Sequence, residues 1–214
     1  MQEASELAKN TSILMNVSEF DDVSKATDTV ISALQAFKKE GQDVGTFSME
    51  IIDKYNEVGN NYAISTSDLA DSLTRSSAAL VAANNSLEES IAMTAAANTT
   101  IQDPESVGNA LKTVSMRIRG VKTELEEAGL ETDGMVTNTA KLQEKIMALT
   151  NIDGSGGINI LTNTGEFKST YEILLAISKV WQDMDDMSQA ALLELVAGEL
   201  SCQLYMKTYI KAHI

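Results

Sequence analysis

Apolar residues recur along this chain at intervals of three and four, the spacing that lines up one face of an α-helix. Val23, Ala26, Val30, Leu34 and Phe37 form one such stripe, and Phe47, Ile51, Tyr55 and Val58 form the next. Leu69, Leu73, Ser76 and Leu80 follow, then Leu87, Ile91 and Ala95. The cleanest stripe runs through Val107, Leu111, Val114, Ile118, Val121 and Leu125, and later segments add Leu142, Ile146 and Leu149, then Leu174, Ile177, Trp181 and Met184. The segment from Ala4 to Met15 fits less tightly. A helix with one apolar stripe needs a neighbour to cover it, so the pattern predicts helices packed on one another.

Start and stop signals sit where the stripes require them. Ser65 with Asp68 and Ser86 with Glu89 have the spacing of reciprocal N-terminal caps, and Asp103 precedes Pro104, a residue that loses nothing at a first helical position. Asp21 or Asp22, and Ser188, are further candidate caps. Gly41, Gly59 with Asn60 and Asn61, Asn84 with Asn85, Gly129, Gly134 and Gly198 are candidate stops. One stretch breaks the period. Ile158 and Ile160 alternate with polar residues, and Asn163, Thr164 and Gly165 offer a turn before Phe167, which predicts a small β-hairpin near 157–168.

The expected fold is therefore all-α, a compact bundle of about eight short-to-medium helices with that one hairpin. Residues 1–150 form the helical bundle, 151–168 the Gly-rich loop and hairpin, 169–198 a C-terminal helical pair, and 199–214 a divergent tail. Breakers arrive too often for a sustained coiled coil, and no fixed-period repeat suggests a solenoid.

Composition narrows the function. The single proline, Pro104, leaves long helical segments unbroken. With 31 acidic against 16 basic residues, the formal net charge is −15, which repels a phosphate backbone and argues against direct nucleic-acid binding. No apolar run reaches the roughly 20 residues that span a bilayer. Cys202 and His213 are the only residues of their kinds, so neither an internal disulfide nor a zinc cluster can be built from them.

Catalytic and metal-binding patterns stay incomplete. A calcium loop starting at Asn151 would use Asp153, Ser155, Gly156, Ile158 and Asn159, but its twelfth position is Thr162 where a bidentate Glu is needed. The same glycines lead to no Gly-Lys-Ser/Thr triplet, so no phosphate loop is present. Glu124, Glu126, Glu127 and Glu131 lie in a charged run that reads as a solvated helix face, without the apolar pocket that raises a carboxyl pKa. The residues predict no enzyme, no cofactor and no metal. Trp181 reads as a core residue on its stripe.

One cluster stands out. Arg117, Arg119 and Lys122 concentrate positive charge beside the acidic run of an acidic protein. Pairing within the helix at i,i+4 would account for them. Contact with another protein chain is the second reading, and these three are the candidate protein-contact residues.

Several stretches, in this order, resemble the core region of the phage tail tape measure protein family. They are Asn60 to Ser65 with Asp68 to Ala70 and Asn85 to Ser90, then Gln102 to Gly108 with Ala110 to Thr113 and Met116 to Gly120. Lys122 to Gly129 with Asp133 and Gly134 follows, then Phe167 to Leu174 and Gln189 to Gly198. Together they cover roughly residues 15–198. The resemblance implies a structural and assembly role: such proteins nucleate tail-tube polymerisation, set tube length and leave ahead of the DNA. It implies tube, chaperone or baseplate proteins as partners, possible self-association, a place in the virion tail, and synthesis in the host cytoplasm. The other classes weighed are a generic helical adaptor or sensory-type module and a piece of a tail-associated peptidoglycan hydrolase. After Gly198 the family's usual Lys or Arg and Asn give way to Glu199, Leu200 and Ser201, which predicts a fragment or prophage remnant.

Overall fold

Short polar side chains start most of the helices, each accepting an amide N–H that the first helical turn leaves without an internal partner. The computed structural model describes residues 2–152, 154–198, 203 and 210. Among them are α1 (Gln2–Val17), α2 (Val23–Phe37), α3 (Val44–Asn61), α4 (Thr66–Ala82), α5 (Leu87–Ile101), α6 (Pro104–Arg119), α7 (Thr123–Glu127), α8 (Thr139–Leu149), α9 (Thr170–Val180) and α10 (Asp186–Ala197). A 3-10 turn, Trp181–Asp183, separates the last two. Ten α-helices among the described residues exceed the eight expected.

The caps are Asp22, Asp43, Ser65, Ser86, Asp103, Asn138, Ser169 and Asp185. Ser188 is not a cap. The Asp185 carboxylate, three residues earlier, accepts from the amides of Met187 and Ser188 and from the Ser188 hydroxyl at 2.6 Å. A charged acceptor of two lone-pair-rich oxygens outcompetes a hydroxyl for those donors. The stripe from Val107 to Leu125 is also interrupted. Gly120 adopts φ +69°, its amide bonds back to Arg117 and Met116, and the Val121 amide reaches the Met116 carbonyl at 3.0 Å. That is a left-handed helix ending, which glycine adopts without steric penalty.

At the centre α4 packs along α6, and α2, α3 and α5 lie against α4. Helix α1 covers α2 and α3, whereas α5, α7, α9 and α10 surround the rest of α6, and α8 joins through α10. The α4–α6 crossing is close because Gly108 has no side chain: a Cβ there would lie 2.7 Å from the Ser72 carbonyl oxygen. One hydrophobic core includes Leu14, Leu73, Val114, Ile160, Ile173 and Leu192, so residues 1–150 and 169–198 share it. A smaller apolar cluster of Ala79, Ala83, Met116 and Leu125 sits beside it. Among the described residues, no helix is long and apolar enough to cross a membrane.

The expected β-hairpin at 157–168 does not form. Among the described residues there is no strand, only an isolated antiparallel bridge between Leu161 and Phe167. The chain does reverse there, with Thr162 N–H to the Glu166 carbonyl at 2.7 Å and Lys168 N–H to the Ile160 carbonyl at 2.9 Å. Side chains from α8 and its cap, and from the turn after α4, take other backbone groups of the segment. Gln143 accepts from the Ile160 amide and donates to the Ile158 carbonyl, and the Thr150 hydroxyl accepts from the Ile158 amide. Asn84 donates to the Phe167 carbonyl at 2.8 Å. A backbone group already satisfied by a side chain has no drive to join a ladder. The segment becomes a strap across the bundle instead.

Candidate protein-contact site at the end of α6

Because α6 is surrounded, even the polar positions of its last two turns are enclosed: Thr113, Ser115, Arg117 and Arg119 are all buried. Arg117 is only 1% exposed. Its Nη2 donates to the carbonyls of Asp133 at 2.9 Å and Glu194 at 3.2 Å, while Nε and Nη1 make longer contacts to Leu195 and Glu131. Glu194 and Leu195 belong to the last turn of α10, where the carbonyls carry the negative end of the helix dipole, and Glu194 also accepts from the Gly198 amide at 3.1 Å. Arg117 thus caps α10 from another helix and ties the 131–133 turn to the same point. Gly198, at φ +72°, makes room: a Cβ there would meet the guanidinium at 2.7 Å.

Arg119 performs a related task on the other side of α6. Its Nη2 donates to the carbonyl of Ala83, at the end of α4, and to that of Lys168 at 2.8 Å. The guanidinium lies 4.4 Å from the Phe167 ring centre, a cation–π contact. Burial pushes its pKa down to about 10, so it remains charged at neutral pH. Its Nε and Nη1 are buried and make no hydrogen bond. Unmatched buried donors of this kind cost roughly 1–3 kcal/mol each.

Lys122 alone of the three is exposed, at 44%, and it pairs with Glu126 at 2.9 Å across one helical turn. The three cations therefore do not make one surface patch. Arg117 and Arg119 face inward in two directions, because α6 meets neighbours on nearly every side. Each spends its charge on carbonyls at a helix end.

The other candidates resolve simply. The Asn151 side chain closes its own loop by accepting from the Gly156 amide at 2.8 Å. Asp153 of the calcium-like loop, Cys202 and His213 lie outside the described residues. Among the described residues no three His, Cys, Asp or Glu side chains gather as metal ligands. Glu124, Glu126, Glu127 and Glu131 are exposed, and Trp181 is buried in the core.

Sequence reasoning missed the joint between α4, α5 and α9. Asn85 donates to the Leu80 carbonyl and accepts from the Tyr171 amide, and the Ser169 hydroxyl donates to Glu89 at 3.0 Å. Two capping boxes, Ser86 with Glu89 and Ser169 with Glu172, are thereby linked. The Ser-x-x-Glu spacing at Ser169 was a usable signal for the second box. Nothing local could have shown that the two would touch.

The most elaborated polar groups of the bundle fasten its own helix ends, Arg117 at α10 and Arg119 at α4. The chain belongs to the family of phage-related minor tail proteins, which it matches over residues 1–198. Its role is accordingly structural, in the phage tail, among other tail proteins. No solved structure matches it.

Proposed function

We propose that this chain is the core module of a tail tape measure protein, scaffolding tail-tube assembly and length determination. The family match over residues 1–198 carries the proposal. The ordered stretches from Asn60 to Gly198 that resemble tape measure cores support the narrower assignment. The longest helix among the described residues, α3, has 18 residues and so spans about 27 Å at ~1.5 Å per residue. On this reading the bundle is a folded module borne by the ruler, and it engages tube, chaperone or baseplate components, or further copies of itself. It is made in the host cytoplasm and acts by contact rather than catalysis.

The test is an in-frame deletion of codons 1–198 in the phage that encodes the chain, followed by electron microscopy of lysates. Tails should be missing or of uncontrolled length beside filled heads, with wild-type length restored by the gene in trans. Tails of normal length and shape after the deletion would overturn the assignment.

A further inference from the structure

Arg119 borders a surface groove of about 560 Å³ between α4, the end of α6 and α7. Ala78, Ala82, Met116, Val121 and Phe167 supply apolar walls, and Ala78 and Ala82 are exposed along them. The charged groups on its margin are Lys112, Glu124 and Glu127. Arg119 itself is 7% exposed, and the acceptors it finds, Ala83 and Lys168, both sit on Nη2. Its Nε and Nη1 have none, and among the described residues no carboxylate pairs with it.

A buried guanidinium with two donors that lack acceptors, held rigid by two carbonyls and an aromatic ring, is half of a bidentate carboxylate site. The apolar walls require that the carboxylate arrive with an apolar side chain, as recognition pockets combine a few fixed polar groups with hydrophobic lining. Glu124 and Glu127 on the margin disfavour a free polyanion and favour a ligand that also carries a cation. With the whole chain at −15, that cation adds to attraction at long range.

We infer that this groove docks a segment of a partner protein in which an apolar residue and a carboxylate, directed to Arg119, stand one helical turn from a lysine or arginine directed to Glu124 and Glu127. The inner nitrogens are covered in the free chain, so docking requires a side-chain shift in the groove wall. The inference does not depend on the tape measure assignment. It holds or fails as a binding property of the folded chain.

Three arginines, Arg75, Arg117 and Arg119, give three Nε–Hε signals in a nitrogen-15 arginine side-chain spectrum. The probe is an acetylated, amidated peptide, Leu-Ala-Glu-Ala-Ala-Ala-Lys-Leu, compared with its Glu→Gln form and with inorganic phosphate. The Arg119 signal should shift saturably with the Glu peptide, with a Kd near ~1 mM, and the Gln form should bind about fivefold more weakly, the loss of one charge-assisted pair. Ala82→Phe fills the groove from an exposed position and should abolish the shift without altering the thermal melt. No Arg119 shift up to about 10 mM peptide, equal shifts with both peptides, or an equal shift with phosphate would each overturn the inference.

Discussion

Replacing Arg117 by Met keeps most of the side-chain volume while removing the guanidinium, so it isolates what the charge-assisted cap is worth. Two contacts are of ordinary length, to Asp133 at 2.9 Å and Glu194 at 3.2 Å, and those to Leu195 and Glu131 at 3.4 and 3.5 Å are marginal. Hydrogen bonds from a charged donor contribute roughly 1.5–3 kcal/mol each. Relief of the buried cation's desolvation offsets part of that loss. The Glu194 carbonyl keeps its bond from the Gly198 amide at 3.1 Å, but it and the Asp133 carbonyl lose their charged donor. A net loss of about 3 kcal/mol follows, and a chain of this size loses about 2–4 °C of Tm per kcal/mol, or about 6–12 °C in all. Urea unfolding followed by circular dichroism measures the free energy, and hydrogen exchange locates it. Protection should fall first in the last turn of α10 and in the 131–135 turn, since Arg117 joins those two places. A loss below about 1 kcal/mol, or one with unchanged protection in α10, would refute the view that this arginine fastens α10 to α6.

Gly157→Ala should be among the most damaging single changes, because a Cβ there would lie 2.0 Å from the Met147 carbonyl oxygen and the residue sits at φ +76°. The strap must lift from α8, at a cost of about 3 kcal/mol or more, which thermal melts would show. The N-cap carboxylates Asp43, Asp103 and Asp185 have pKa values held below the ordinary 3.8, chiefly by hydrogen bonds from Thr46, Ser106 and Ser188. Their stabilisation is present in full above the unfolded value and disappears as pH falls through the lowered folded values. Tm should therefore stay level with respect to these groups at neutral pH and fall in acid below about pH 4. The triple Asp→Asn variant, which keeps the caps but not the charges, should show a shallower acid decline, and an unchanged decline would remove these caps from the explanation.

Local signals carried much of the architecture. Ser65, Ser86 and Asp103 were legible as caps because a cap and the amide it accepts lie three residues apart, and the stripes of α2 to α6 were legible because helical period depends on nearest neighbours alone. Where two local signals overlapped, the pattern could not choose. Asp185 and Ser188 compete for one helix start, and only the stronger acceptor wins. Gly120 ends α6 although Val121 and Leu125 stay in phase with its stripe, since a left-handed turn followed by a new short helix leaves the spacing of apolar residues nearly unchanged.

What the sequence by itself determined is the helical class, the chain's family resemblance and the acidic balance of its surface, properties that reside in residue order and composition. The tertiary structure alone decided what Arg117 and Arg119 do. A charged residue is ordinarily read as facing water, and that holds for Lys122, which has room to pair with Glu126. It does not hold on a helix enclosed by α4, α5, α7, α9 and α10, where a guanidinium must find its acceptors inside. Those acceptors, Ala83, Asp133, Lys168 and Glu194, lie 16 to 77 residues away in the chain. Placement within the closed bundle likewise hid the fate of residues 157–168, whose alternating pattern suits a hairpin. Gln143, Thr150 and Asn84 reach their backbone groups only once the bundle has closed, and a hydrogen bond already made to a side chain leaves nothing for a second strand to bind.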